Sequence, residues 1–421
     1  MSKSMRRQAP VLLACLILLA GASMTRAAAA GRDEVPVGGP LPKGRVAESI
    51  RAYDGWLDQV MARNAAAGIA TAVVVDDKVR WQRTLGYADT ATGARVTPQT
   101  VFRIASLSKA FASALTGLLV QDGAFGWNTR IEKALPFFML KNAQYAREAT
   151  IADILSQRIG LPHNTYDNLM EDHGRYPELV RKLDEVNPIC APGDCYSYQN
   201  VAFSLIGDVV YAETGDFYYH QVEKRIFWPL GMKTATYGRE ALEASKSWAR
   251  PHWLDRGHWV PFQPKETYYR LAPAAGVNAS LDDMEKWLIA QMGGDPQVLS
   301  PRLLRVLHTP LVQTPSERWA TPWRRARLRN AQYALAWRVY DYAGHRLIFH
   351  AGAVQGYRAM IGFFPDLHVG MVILWNCDDA VPAQLMPMFF DRLLGLPYVD
   401  WAGLDRPTPR THPVRRIKRR H

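Results

Sequence analysis

Ser106 and Lys109 stand three residues apart at the head of an apolar, alanine-rich stretch, Ser106-Leu-Ser-Lys109-Ala-Phe-Ala-Ser-Ala-Leu-Thr-Gly-Leu-Leu-Val120. On a helix that spacing puts both side chains on one face, about 5–6 Å apart at Cβ, so the amine can reach the hydroxyl. A serine hydroxyl is a poor nucleophile at neutral pH and needs such a base within reach. A serine on a first helical turn also has an unpaired backbone N–H near the positive end of the helix dipole, where a developing oxyanion is stabilised. Taken alone, the pair equally fits an N-cap serine beside a solvated lysine.

Two later segments bear on that choice. Tyr198-Gln199-Asn200 sets a phenol and a carboxamide two residues apart at the start of another helical pattern. A phenol beside a lysine can shuttle a proton, and the amide can hold a substrate carbonyl or the lysine itself. His350-Ala351-Gly352 ends a strand pattern, and glycine there lets a substrate backbone approach the edge closely. In isolation these segments also read as a core tyrosine with a helix cap and a histidine satisfied at a strand end. Lysine and tyrosine side chains ordinarily titrate near pH 10, so making either Lys109 or Tyr198 the base at pH 7 means lowering that value by about 3, roughly 4 kcal/mol. A lysine cation favours tyrosinate and desolvation favours neutral amine, so the proton belongs to the pair.

The elements that must hold these groups are legible as periodicities. Val46 to Asn64 has helical spacing, with Ile50, Tyr53, Trp56, Leu57 and Val60 on one side. Ile69–Val75 and Val79–Leu85 flank Asp76-Asp77 as a β-hairpin. Helical stretches follow at Ile151–Leu155, Tyr176–Val186, Asn200–Thr214, Tyr218–Trp228 and Leu281–Met292, then strands at Arg346–His350, Tyr357–Phe364 and Val369–Trp375. Strands at both ends with helices between imply an α+β fold: an antiparallel β-sheet flanked by helices, with an inserted mainly helical subdomain. The Ser106 helix falls at the junction, where clefts form.

Composition narrows the function classes. The chain has 421 residues, 48% hydrophobic and 21% charged, an ordinary globular balance. Of its formal net charge of +12, four units lie in residues 1–30 and six in 405–421, leaving +2 for the body, so nucleic acid is not its natural partner. Met1 to Arg7 is a basic lead, Val11 to Ala22 an apolar core, and Thr25 to Ala30 offers small-residue cleavage sites. This reads as a secretory signal peptide cleaved near Ala28 to Ala30, with an exported, periplasmic product. No stretch reaches the ~20 apolar residues of a transmembrane span. Cys190 and Cys195 flank a turn sequence and form a candidate disulfide in an oxidising compartment, while Cys377 reads as a buried hydrophobe. No histidines sit near the cysteines at ligand spacing, so no metal or other cofactor is expected.

Together and in this order, the three segments resemble the serine β-lactamase and penicillin-binding hydrolase superfamily, in its class C β-lactamase, DD-peptidase and esterase branch. The resemblance covers roughly residues 50–395. Thr150 to Pro162 is similar to its "LLTHTSGLP" stretch, Trp228 to Met232 to its "PLGM", and Pro273 to Ser280 to the entry of its later helix. It implies Ser106 as nucleophile, Lys109 as its partner, Tyr198 as general base and Asn200 as a substrate-binding amide. His350 to Gly352 become the counterpart of a Lys-Thr-Gly strand, with an oxyanion hole on the N–H groups of Ser106 and Ala353. His350 and Ala351 depart from that pattern: an imidazole of ordinary pKa is mostly neutral at pH 7 and would charge between about 5.5 and 7.5.

The expected organisation is a signal peptide at 1–30, a linker at 31–48, a hydrolase domain at 49–395 and a basic, Pro-rich tail at 396–421. Within the domain, about 49–103 and 276–395 make the sheet subdomain and about 104–275 the helical one. The expected activity is an acyl-enzyme hydrolase of β-lactam or D-Ala-D-Ala-type amides, on a small-molecule or cell-wall peptide substrate. A carboxylesterase on the same fold, or an inactive cell-wall-binding or sensor module, are the alternatives. Oligomeric state is not encoded in any motif.

Overall fold

Strand-forming runs near both ends of the chain pair with one another to build the central sheet. The structure is a computed structural model that describes residues 34–406; residues 1–33, which include the segment read as a signal peptide, and residues 407–421 lie outside the described residues. The strands are β1 (Gly68–Val75), β2 (Lys78–Asp89), β3 (Ala94–Arg95), β4 (Val312–Gln313), β5 (Leu328–Tyr333), β6 (Arg338–Tyr342), β7 (His345–Val354), β8 (Tyr357–Phe364) and β9 (Val369–Trp375). They form one nine-stranded sheet in the order β3-β2-β1-β9-β8-β7-β6-β5-β4. Every pairing in it is antiparallel, with Val73 opposite Met371 across the junction of the two chain ends. Asp76 and Asp77, both at positive φ, make the turn of the first hairpin.

Both faces of the sheet are covered, which is why β1 and β9 are buried along their whole length. Helix α1 (Arg45–Ala62) buries Tyr53, Trp56, Leu57 and Val60 beside the last long helix, Leu385–Leu394, on one face. The other face carries α2 (Ser108–Gln121), α3 (Val201–Thr214) and α4 (Leu281–Met292), together with the shorter helices of the insertion. The α+β architecture expected from the sequence is the one observed.

Two boundaries differ from expectation. Leu404 is buried, Trp401 Nε1 donates to Asp391 at 2.8 Å, and Tyr398 stacks on Trp56, so residues 396–406 belong to the fold rather than to a tail. Val35 is likewise buried, and its N–H donates to the Leu394 carbonyl, so the linker is docked. A few apolar side chains are enough to dock these Pro- and Gly-rich segments.

One irregularity of pairing matters for function. Strand β6 follows β7 only as far as Arg338 opposite Phe349, whereas β8 continues alongside it to Tyr357 opposite Val354. The 350–354 half of β7 therefore has a partner strand on one side only, and Ala353 on it is exposed.

Candidate active site

Ser106 sits in a 3-10 turn, Ala105–Leu107, that leads directly into α2. From Val101 to Gly117 it is the one residue that is not buried. Ala105 before it holds φ of 51°, a conformation that a non-glycine residue keeps only when its surroundings enforce it. The enforcement is visible: Ser108 Oγ donates to the Ala105 carbonyl at 2.6 Å and accepts from the Val277 N–H at 3.0 Å. Gly352 of β7 presses on the same turn, since a Cβ there would lie 2.3 Å from the Ile104 carbonyl oxygen and 3.1 Å from the Ser106 nitrogen. Glycine is thus required where the open strand meets the serine turn.

Lys109 is fully buried on the first turn of α2. Its Nζ lies 2.6 Å from Asn200 Oδ1, 3.1 Å from the Ala274 carbonyl oxygen and 3.4 Å from Ser106 Oγ. Burial pushes its pKa down to about 7, partly opposed by the charge of Asp167. A neutral amine has two N–H bonds and one lone pair. With the two carbonyl oxygens taking the N–H bonds, the lone pair is left for the serine hydroxyl.

Tyr198 is hydrogen-bonded to Ser106, and Lys109 Nζ lies 4.6 Å from its ring centroid. Burial pushes the phenol up to about 12, with the Ser106 bond and Arg338 drawing it partly back. The same desolvation thus moves amine and phenol in opposite senses, and it is the amine that reaches neutral pH in its basic form. Burial thus favours the neutral form of both groups, the free amine of Lys109 and the un-ionised hydroxyl of Tyr198.

The Tyr198–Asn200 segment is held from the side by residues that are not among the expected site residues. Gln157, at φ 62°, accepts from the Gln199 N–H at 2.7 Å, and its side-chain amide donates back to the Gln199 carbonyl at 3.2 Å. The Asn164 N–H donates to the Tyr198 carbonyl at 2.8 Å, and Asn200 Nδ2 donates to Asp167 Oδ2 at 2.7 Å. Cys190 and Cys195 are joined as a disulfide in the loop that enters this segment. Cys377 is a buried free thiol.

His350 lies beneath this surface rather than on it. It is 1% exposed, Nδ1 is 2.9 Å from the Ala351 carbonyl oxygen, and Nε2 is 3.3 Å from the Tyr333 hydroxyl. Burial first, then the charges of Arg338 and Lys109, hold its pKa well below 6.5. The expected charging between pH 5.5 and 7.5 therefore does not hold: the ring stays neutral through that range. The permanent cation of this corner is Arg338, whose guanidinium lies 5.9 Å from the Tyr198 ring centroid and pairs with Glu317 at 2.6 Å. It opens β6, far from any motif, and only strand pairing brings it here.

The family model described as Beta-lactamase matches residues 53–389. This chain belongs to the β-lactamase family. Relatives include an unguisins hydrolase from Aspergillus campestris, 27% identical over 76% of this chain and 60% of that one. Others are Protein flp of Staphylococcus aureus strain MW2, at 24% over 80% and 65%, and the human putative beta-lactamase-like 1, at 25% over 86% and 71%. The chain spans about three-fifths of the length of the first of these. Among solved structures, the octameric penicillin-binding protein homologue from Pyrococcus abyssi superposes with a TM-score of 0.71 at 22% identity, covering 82% of this chain and 78% of that one. The crystal structure of SurE gives 0.66 at 20%, covering 88% and 81%. The penicillin-binding-type fold is thus shared, and in this β-lactamase-family chain the Ser106–Lys109–Tyr198–Asn200 grouping is assembled at one point of it.

Proposed function

We propose that the protein is an exported serine hydrolase that forms an acyl-enzyme at Ser106. One observation carries the reading: Lys109 is buried, its two strongest contacts are carbonyl oxygens, and its remaining direction is toward the one accessible serine of the turn. Ser106 Oγ attacks the substrate carbonyl carbon while its proton passes to Lys109 Nζ, and the carbonyl π pair becomes the oxyanion facing the N–H groups of Ser106 and Ala353. Collapse breaks the bond to the leaving group, which takes the proton back through Lys109 and the Tyr198 hydroxyl. Water then hydrolyses the ester with the same groups reversed. Export is supported by the N-terminal pattern and by the Cys190–Cys195 bond.

Substrates of the β-lactam or D-Ala-D-Ala amide type fit the family and the hydrolase names of relatives. Esterase activity is favoured by a specific feature: His350 is buried with its pKa held well below 6.5, and the cation of that corner, Arg338, is tied to Glu317 rather than offered to a substrate carboxylate. The intact set of Ser106, Lys109, Tyr198 and Asn200 speaks against an inactive binding module. Comparative turnover of nitrocefin, a p-nitrophenyl ester and a D-Ala-D-Ala peptide tests the reading. The expected result is ester turnover well above β-lactam turnover, and inertness toward all three contradicts the proposal.

A further inference from the structure

The Lys109 hydrogen bonds work only if the Asn200 amide faces the lysine with its oxygen. An amide can rotate by 180° and exchange oxygen for NH2 with little change of shape. In the rotated form Asn200 would donate to Lys109, occupying the lone pair that must accept the serine proton. Asp167 prevents this, because its Oδ2 accepts from Asn200 Nδ2 at 2.7 Å and a carboxylate can only accept.

We propose that Asp167 is a positioning residue for acylation: its carboxylate locks the Asn200 amide with the oxygen toward Lys109 and sets a buried negative charge behind that amide. The inference rests on the Ser106–Lys109 reading above and adds a residue that reading does not include. Asp167 is 9% exposed and opens the short helix Asp167–Glu171, whose start is fixed by the Asp167 N–H donating to the Asn164 carbonyl at 3.0 Å. Through Asn164 that turn is tied to Tyr198, so carboxylate, amide and phenol share one frame.

The groups facing Asp167 come from each element around it. Asn200 lies at the head of α3, Lys109 acts on it from α2, the Tyr268 hydroxyl lies 3.4 Å away on the 3-10 turn Thr267–Arg270, and Glu171 repels it from its own helix. Oδ1 is buried without a hydrogen-bond partner, so the carboxylate charge is poorly dispersed and is felt at Lys109. Burial raises the Asp167 pKa to about 6, with Asn200 and Lys109 opposing, so it is charged where Lys109 begins to titrate. The ionised carboxylate favours the lysine cation, and its removal therefore lowers the lysine pKa.

Pre-steady-state acylation by a p-nitrophenyl ester, followed from pH 5 to 9 in the full-length mature enzyme, tests this with two variants. Asp167→Asn removes the charge and, carrying an NH2 as well as an oxygen, only partly fixes the direction of Asn200, so the acid limb should move down by about one pH unit with a plateau loss smaller than that of Asp167→Ala. Asp167→Ala frees the amide, and the plateau should fall about 10–100-fold with KM little changed. A limb that stays at its wild-type position in Asp167→Asn overturns the proposal, as does an equal plateau loss in both variants or none in Asp167→Ala. Should Asp167→Ala fail to fold, the limb of Asp167→Asn decides. No acylation of the wild type would instead remove the Ser106 reading itself, a result distinct from either outcome in the variants.

Discussion

Desolvation drives the Lys109 amine and the Tyr198 phenol apart in pKa, to about 7 and about 12, although both start near 10. A base must be unprotonated to act. Below its pKa Lys109 is an ammonium with no lone pair, so acylation should rise with pH through about 7 and be lost as pH falls below it. His350 stays neutral throughout and adds no second limb between pH 5.5 and 7.5. Acylation rates of wild type and His350→Gln across that range should therefore share one limb, whereas Lys109→Ala should lose about 10²–10⁴-fold on the plateau above pH 7 and progressively less below it. A limb near 6.5 that vanishes in His350→Gln would return the histidine to the titrating site.

At the scale of elements, the site depends on where β7 meets the Ser106 turn. Gly352→Ala places a methyl 2.3 Å from the Ile104 carbonyl oxygen, backbone against backbone, so the turn or the strand must move. The expected cost is about 1–3 kcal/mol of stability, with a drop in acylation larger than that stability loss explains. Thermal denaturation and burst kinetics on the same preparation separate the two, and an alanine variant with wild-type burst would show the contact to be relaxed easily. The contact also shows what sequence could and could not reveal. Ser106, Lys109, Tyr198, Asn200 and Gly352 were legible because local spacing and element ends mark them. Gln157, Asp167 and Arg338 were not, because each acquires its role from a partner at least twelve residues away, through turns and strand pairings that leave no period. For the same reason β1, β8 and β9, with dense apolar patterns, could be read in advance, and β2 by its Val79, Trp81 and Leu85 across a tight turn from β1. Strand β5, Leu-Arg-Asn-Ala-Gln-Tyr, is polar at three of six positions and could not.

For the whole molecule, the ends of the described chain close the face that carries α1. Arg63 Nη1 donates to the Gly403 carbonyl at 2.9 Å, Leu404 is buried, and Val35 hydrogen-bonds to Leu394. Truncation after 395 should therefore lower the melting temperature by several degrees relative to truncation after 406, through loss of Tyr398, Trp401 and Leu404. Equal stability of the two truncated forms would show that this segment contributes nothing to the fold.

The central claim is that one serine is acylated because one buried lysine is held neutral beside it. Intact-mass measurement after exposure to a fluorophosphonate, followed by peptide mapping, tests it most directly. A single adduct on Ser106 that is absent from Ser106→Ala and strongly slowed in Lys109→Ala is the expected result, and an adduct that persists in Ser106→Ala or maps to another residue contradicts it.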